Sequence, residues 1–485
     1  MATDPGLRRL ILRTLLAAFP GHTAPDWALA LVADGLAGHV LFGRNVADPA
    51  QVAALSAELA AVRPDVIISI DEEGGDVTRL GHLSGSPYPG NAALGVIDDA
   101  ALTERIYHAI GTDLGAVGVN LDLAPTVDVN TVDENPIIGT RSFGADPARV
   151  ATHTAAAVRG LQSAGVAACA KHFPGHGATV ADSHLELPTV DAPLDVLRQR
   201  DLPPFASAVQ ADIKAIMTAH IRVPSLTGEH PATFSRRVLV DLLRTELGFQ
   251  GAVITDALEM KGASVAAGGT AKAAVPALAA GADLLCVGSD VTADLIEEVV
   301  AEVAAAIGDG RLALSRVEQA ADRGAALASW AVEHARRERS ESGIGYPAAR
   351  RAVQIHGSLD GLSNPLVVQL ESEATIAAGR VPWGLGPHVN GTEQVRLLAS
   401  AADAAQLRAR AGTRPIVVVA RNAHRLPGGR ALIEDLAATN PVVLVEMGWP
   451  SNWRPVGVRA VVCTYGASHA NGWAAADALG LAAAR

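Results

Sequence analysis

The chain has 485 residues, 49% of them hydrophobic and 19% charged, a balance that excludes a largely disordered protein and argues for two or three domains. Its formal net charge of −12 argues against nucleic acid as a partner, because phosphate binding draws on surplus Lys and Arg. No apolar run approaches the roughly 20 residues that span a bilayer, so no membrane association is expected.

Residues 7–19 interleave Arg8, Arg9 and Arg13 with Leu and Ile, which fits an amphipathic helix better than a secretion signal. Short apolar runs then recur at 38–43, 65–70, 118–124, 166–170, 215–219, 251–255 and 282–288. Helix-period stretches lie between them, at 147–164, 194–211, 236–247, 270–280 and 292–306. Apolar strands that do not alternate are buried on both faces, the signature of a parallel sheet covered by helices. About seven such units predict a (β/α) TIM-type barrel over residues 1–335, with imperfection in its first units left open.

The charged, Gly-containing stretch 336–350 predicts a linker. Strand-like runs at 352–355, 366–370, 415–419, 442–445 and 460–463 predict a smaller C-terminal α/β layered domain over 351–485. Pro427-Gly428-Gly429 has no leading strand and reads as a turn and helix start, not a phosphate loop. Cys169, Cys286 and Cys463 stand far apart in apolar runs, as reduced and buried side chains of a cytoplasmic protein would.

Polar clusters follow the predicted strands: Asp71-Glu72-Glu73, Asp128, Lys171-His172, His220 and Asp256. Barrel active sites are built on that C-terminal face. The densest cluster is Lys171-His172-Phe173-Pro174-Gly175-His176-Gly177, followed by Asp182-Ser183-His184. Asp182 is close enough in sequence to accept the ring N–H of His184 and prepare the imidazole for proton transfer near neutral pH. Taken alone, an Asp-x-His is more often an Asx turn beside a bystander His. Gly175 and Gly177 would let the loop swing, so that the pair assembles over a substrate.

Asp256 ends an apolar strand, yet Asp256-Ala257-Leu258-Glu259 fits a helix capping box equally well. Arg79, Arg141, Lys171 and His172 are donors suited to hydroxyls or an acetamido carbonyl, or to ion pairs with nearby carboxylates. Asp71 would accept from sugar hydroxyls, with Glu72 and Glu73 holding the loop by ion pairs. His172, His176, Asp182 and His184 carry enough ligand atoms for zinc. The adjacent Lys171 disfavours a dication, however, and the spacing gives no metal-binding helix, so no metal is expected.

With these residues in place, the chain resembles the beta-N-acetylglucosaminidases of glycoside hydrolase family 3. The matching segments are Ile70-Asp71-Glu72-Glu73-Gly74-Gly75, Arg141-Ser142-Phe143-Gly144, Lys171 to Gly177 with Asp182-Ser183-His184, Met217-Thr218-Ala219-His220 and Ile254 to Met260. They cover roughly residues 35–290 in family order. The resemblance implies Asp256 as nucleophile, His184 as general acid/base assisted by Asp182, and Asp71, Arg79, Arg141, Lys171 and His172 as the residues that hold N-acetylglucosamine. It implies an exo-acting, retaining hydrolase of N-acetylglucosaminides or muropeptides in peptidoglycan recycling, without a cofactor. Asp76 departs from the Arg often found in this Gly-Gly-Arg-Val context.

A spent imidazole is neutral where a spent carboxylate is an anion, so phosphate could replace water and make the protein a phosphorylase. A family 3 beta-glucosidase and a non-catalytic amino-sugar-binding relative stay open as well. The sequence leaves open the natural leaving group, the role of the C-terminal domain, partner proteins and the oligomeric state.

Overall fold

The apolar runs that follow one another through the first two thirds of the chain pair side by side as parallel strands. The computed structural model describes residues 4–336, 341, 343–372 and 374–482. Eight strands form one sheet: β1 (Leu15–Ala17), β2 (Gly38–Leu41), β3 (Ile67–Ile70), β4 (Leu121–Asp122), β5 (Ala167–Phe173), β6 (Ala215–Thr218), β7 (Ala252–Thr255) and β8 (Leu285–Cys286). Their order is β7-β6-β5-β4-β3-β2-β1-β8, and every neighbouring pair is parallel. A parallel bridge from Ile254 to Leu284 brings β7 beside the approach to β8, so the barrel nearly closes. Leu16, Val40, Ile67, Leu121, Ala167, Cys169, Met217, Ile254 and Cys286 pack together in one buried cluster. Small Ala and Cys side chains among branched ones suit the tight interior of a barrel of this size.

The N-terminal segment differs from the single helix expected over 7–19. A helix spans Pro5–Leu12, capped by Asp4, and the chain then turns into β1. Leu15-Leu16-Ala17 carries no charge and is fully buried between β2 and β8, where a helix could not complete the ladder. The stretch expected as one helix over 194–211 breaks into Leu194–Arg200 and Leu202–Gln210, with Pro203 in the first turn of the second, where its missing N–H does no harm.

The C-terminal residues form a second sheet, with β9 (Gln354–Gly357), β10 (Leu366–Glu371), β11 (Gln394–Leu398), β12 (Ile416–Ala420), β13 (Val442–Glu446) and β14 (Ala460–Cys463) in the order β11-β10-β12-β13-β14-β9. All pairs are parallel except β14 with β9. Leu366, Val368 and Leu370 pack into one core and Val367 into another, as period-two alternation requires when both faces are covered. Gly428 adopts φ +77° and the helix Gly429–Ala437 follows it, so Pro427-Gly428-Gly429 is a turn and helix start.

The two units interleave in sequence. The first comprises Met1–Glu73, Ala100–Ile137 and Ala145–Glu341; the second comprises Gly74–Asp99, Ile138–Gly144 and Ser342–Arg485. Residues 74–99 and 138–144, expected with the barrel, are grouped instead with the C-terminal sheet. A helix, Gly345–Ala352, occupies part of the stretch expected as a linker. Cys169, Cys286 and Cys463 are unpaired and buried. Among the described residues no helix is long and apolar enough to cross a membrane.

Asp283, fully buried before β8, ties the first unit together. Its Oδ2 accepts from Val253 N at 2.9 Å and Arg244 Nη2 at 2.5 Å, and its Oδ1 accepts from Arg316 Nη2 at 2.5 Å and Arg323 Nη1 at 3.2 Å. One carboxylate therefore joins β7, the π-helix Arg237–Glu246 and the long helix Leu314–His334. Removing one partner of a buried charge network strands the others, at a cost of about 3–5 kcal/mol. Asp283→Ala is expected to lose that much in urea unfolding; a loss under about 1 kcal/mol would mean the arginines find water instead.

Candidate active site at the barrel rim

Strand β5 extends to Phe173 and carries Lys171 and His172 to the C-terminal rim. Lys171 is 2% exposed, and its Nζ lies 2.6 Å from Asp71 Oδ1 and 2.8 Å from Glu73 Oε1. Both carboxylates arrive from the end of β3. An ammonium with so little water is tolerable only when compensated, and here two carboxylates compensate it. Glu73 thus makes the ion pair expected of it.

His172 faces Asp128, which lies 44 residues earlier in the chain. Its Nδ1 is 2.7 Å from Asp128 Oδ2, and the His172 and His176 backbone N–H groups donate to Asp128 Oδ1 at 3.3 and 2.6 Å. Burial pushes the Asp128 carboxyl up, but the charge and hydrogen bond of His172 outweigh it and hold the group below its usual range.

Asp182 and His184 form a dyad. The ring Nδ1 of His184 is 2.6 Å from Asp182 Oδ1, and the His184 backbone N–H donates to the same oxygen at 2.9 Å. The Asx-turn contact and the imidazole–carboxylate pair therefore exist together. Burial raises the Asp182 carboxyl, but the hydrogen bonds from His184 outweigh it and leave the group below its usual range.

The glycines of this loop allow close approach. A Cβ on Gly177 would overlap the Val129 carbonyl, and one on Gly175, at φ +129°, would lie 2.7 Å from Asp201 Cβ. The Gly177 carbonyl also accepts from Thr131 N at 3.2 Å. Residues 171–177 are buried, Val180 and Leu185 farther along are exposed, and the dyad is already formed.

Asp256 follows β7 at the rim and is partly exposed. Its Oδ1 accepts from Ala257 N at 2.8 Å. The capping box does not form: the next helix begins at Lys261, and Glu259 turns instead to the loop after β8, accepting from Ser289 N at 2.6 Å and Asp290 N at 3.2 Å. Burial pushes the Asp256 carboxyl up, yet the rings of His172, His220 and His184 and the Ala257 N–H outweigh it, so it stays below the usual carboxylate range. His220, buried and lowered by burial, sits 3.0 Å from the Ala257 carbonyl through Nε2 and 2.8 Å from Thr233 Oγ1 through Nδ1. The neighbour of Asp256 is thereby fixed.

The first unit thus brings together Asp71, Lys171, His172, Asp182, His184 and Asp256. Arg79 and Arg141 belong to the second unit. Arg79 donates to the Ala378 carbonyl at 3.3 Å and the Ala377 carbonyl at 2.8 Å, and the Arg141 carbonyl accepts from Asn91 Nδ2 at 2.7 Å. Asp76, in that same unit, accepts from Thr140 Oγ1 at 2.7 Å, Ala467 N at 2.7 Å and Arg421 Nη2 at 3.1 Å. A carboxylate rather than Arg is what three converging donors require.

Two acidic residues had no signal in the sequence. Asp122, at the end of β4, accepts from Glu72 N at 3.0 Å, and burial holds its carboxyl well above the usual range. Asp201 packs behind Gly175 and is pushed up to about 6 by burial. Among the described residues no group of three or more His, Cys, Asp or Glu side chains is arranged to hold a metal.

The chain matches the glycosyl hydrolase family 3 N-terminal domain over residues 20–327. It belongs to glycosyl hydrolase family 3. A Beta-hexosaminidase from Pseudomonas aeruginosa is 40% identical over 254 residues, covering 52% of this chain and 75% of that protein. One from Methylococcus capsulatus is 38% identical over 296 residues, 60% of this chain and 88% of that one. Beta-hexosaminidase A of Pseudoalteromonas piscicida is 39% identical over 250 residues, and the match spans only 42% of its length. The structure of a glycoside hydrolase family 3 beta-N-acetylglucosaminidase from Paenibacillus sp. str. FPU-7 superposes with a TM-score of 0.87 at 33% identity, over 98% of this chain and 97% of that one. The eight-stranded barrel and second sheet are thus those of a family 3 glycoside hydrolase.

Within this site, the depressed Asp128 carboxyl links stability to pH. Its contribution is present above the ordinary Asp value of 3.8 and fades as pH falls through the lower folded value. Asp128→Asn is expected to be less stable than the native chain at pH 7, with the gap narrowing as pH falls below the ordinary Asp value of 3.8. Parallel acid-unfolding curves for the two proteins would remove Asp128 from this role.

Proposed function

We propose that this chain is a retaining, exo-acting beta-N-acetylglucosaminidase, with Asp256 as nucleophile and the Asp182–His184 dyad as acid/base. The observation that carries the reading is the His184–Asp182 pair held within electrostatic reach of an ionised Asp256. The names of the curated relatives and of the Paenibacillus enzyme support the substrate class.

Asp256 attacks the anomeric carbon while the bond to the leaving oxygen breaks and His184 Nε2 gives that oxygen its proton. Asp182 keeps the Nδ1–H throughout and stabilises the ring while it is charged. Water then loses a proton to Nε2 and attacks the same carbon, which returns Asp256 as a carboxylate and yields the sugar with its original anomeric configuration. Asp71, anchored by Lys171, accepts from sugar hydroxyls, and Lys171 and His172 donate to the sugar. Arg79 and Arg141 are proposed as further sugar ligands on the strength of the family pattern alone. Muropeptides with terminal N-acetylglucosamine, degraded in the cytoplasm, are the proposed natural substrates.

Asp256→Ala is expected to cut turnover of nitrophenyl N-acetyl-beta-glucosaminide by about 10³-fold or more, and the corresponding nitrophenyl glucoside should be a poor substrate of the native enzyme. Comparable turnover of the two would favour a glucosidase, and turnover of neither a sugar-binding protein.

His184→Ala should slow an alkyl N-acetylglucosaminide by about 10²–10⁴-fold and the nitrophenyl one far less, because only the alkoxide needs the proton. Equal losses on both substrates would take the acid role from His184.

A further inference from the structure

The Asp182–His184 dyad lies on a segment without regular secondary structure, so its position must be set by tertiary contacts. Ser183, between the two, is 3% exposed. Its Oγ lies 3.2 Å from His176 Nε2, and its carbonyl accepts from Gly262 N at 3.1 Å.

The direction of the first bond follows from its neighbours. Thr179 Oγ1 donates its single proton to the His176 carbonyl at 3.0 Å, so at 2.7 Å it accepts from His176 Nδ1–H. Burial, then the nearby His172, lower His176 to about 4, so the ring is neutral and Nε2 offers a lone pair. Ser183 Oγ–H donates into it. His176 is itself held at its backbone: its N–H donates to Asp128 Oδ1 at 2.6 Å and its carbonyl accepts from Asn135 Nδ2 at 3.1 Å. Gly262 is equally confined, since a Cβ there would lie 2.9 Å from His220 Cβ.

We propose that Ser183 and His176 are positioning residues: His176 grips the Ser183 hydroxyl from the β5 crossover, the Gly262 N–H grips the Ser183 carbonyl from the β7 crossover, and together they set His184 against Asp256. This inference rests on the functional reading above. It gives the serine of Asp-Ser-His and the second histidine of the Lys-His-Phe-Pro-Gly-His-Gly loop a task in catalysis, without contact to the sugar.

The test is Ser183→Ala, which removes the donor and leaves the His176 ring in place. Its kcat/KM for an alkyl N-acetylglucosaminide is expected to fall about 10–100-fold and that for the nitrophenyl glycoside by less than about threefold, with the melting temperature little changed. His176→Asn, too short to reach Ser183, should show the same selective loss. His176→Gln, whose Oε1 can accept from Ser183, should recover most of the alkyl-glycoside activity. Adding Ser183→Ala to His184→Ala should cost nothing further, because both act through one proton transfer. Equal losses on both substrates, or additive losses in the double variant, would overturn the inference. Selectivity in His184→Ala without selectivity in Ser183→Ala would overturn it alone. No selectivity in His184→Ala would overturn the functional reading and this inference together.

Discussion

The rim of the first unit depends on matching charge where water is scarce. Eight parallel strands end on one face, and that face receives Asp71 and Glu73 after β3, Asp122 and Asp128 from β4 and the loop after it, and Asp256 after β7. Carboxylates that share a poorly solvated space cannot all ionise unless cations or proton-bearing rings lie between them. Lys171 stands between Asp71 and Glu73, His172 meets Asp128, and the rings of His172, His184 and His220 surround Asp256. Asp122 shows the opposite outcome. Burial dominates there, and the group is driven toward its neutral form. The same physics thus separates a carboxyl held below its usual range from one raised above it.

This matching also fixes geometry. A compensated buried charge cannot shift far without losing its partner, so Lys171 and His172, adjacent on β5, each lock a different neighbour: the loop after β3 in one case, the loop after β4 in the other. His176 extends the second lock, because its N–H shares Asp128 Oδ1 with His172 N. The order of the rim is therefore set by strand pairing in the barrel. The register of β4 with β5, Leu121 with Ala167 and Asp122 with Ala168, continues to the bridge of Thr126 with Lys171 and brings the loop after β4 beside Lys171 and His172.

Much of this is legible in the sequence. Continuous apolar runs without alternation mark seven barrel strands, and polar residues at their ends mark the face that carries the site. β1 is hidden because Arg8, Arg9 and Arg13 extend a helical pattern across a three-residue strand whose burial depends on β2 and β8. β11 is hidden for the opposite reason: it is a half-exposed edge strand carrying Arg396, with no apolar run to announce it. In the site, Asp182 and His184 are legible because they are close in sequence. The pairing of Asp128 with His172 is not, since 44 residues separate partners that only the barrel brings together. Gly175 and Gly177 suggest freedom of motion, but a glycine's lack of a side chain serves close approach equally well, and that use shows only once Asp201 and Val129 are in place.

The placement of the dyad bears on how the two units divide the chemistry. The proposed nucleophile arrives on β7 and the proposed acid/base on the loop after β5, and both belong to the first unit. Ser183 links the two crossovers directly through the Gly262 N–H, so the separation of the two groups is set inside one barrel by short-range contacts. A glycosidase drawing its acid from a different unit would carry the uncertainty of that unit's position in every turnover, and a misplacement on the order of 1 Å is enough to cost about 10²-fold in rate. Building both proposed groups on crossovers of the same barrel removes that dependence: the distance between them does not rest on the second unit, whatever Arg79 and Arg141 contribute to holding the sugar.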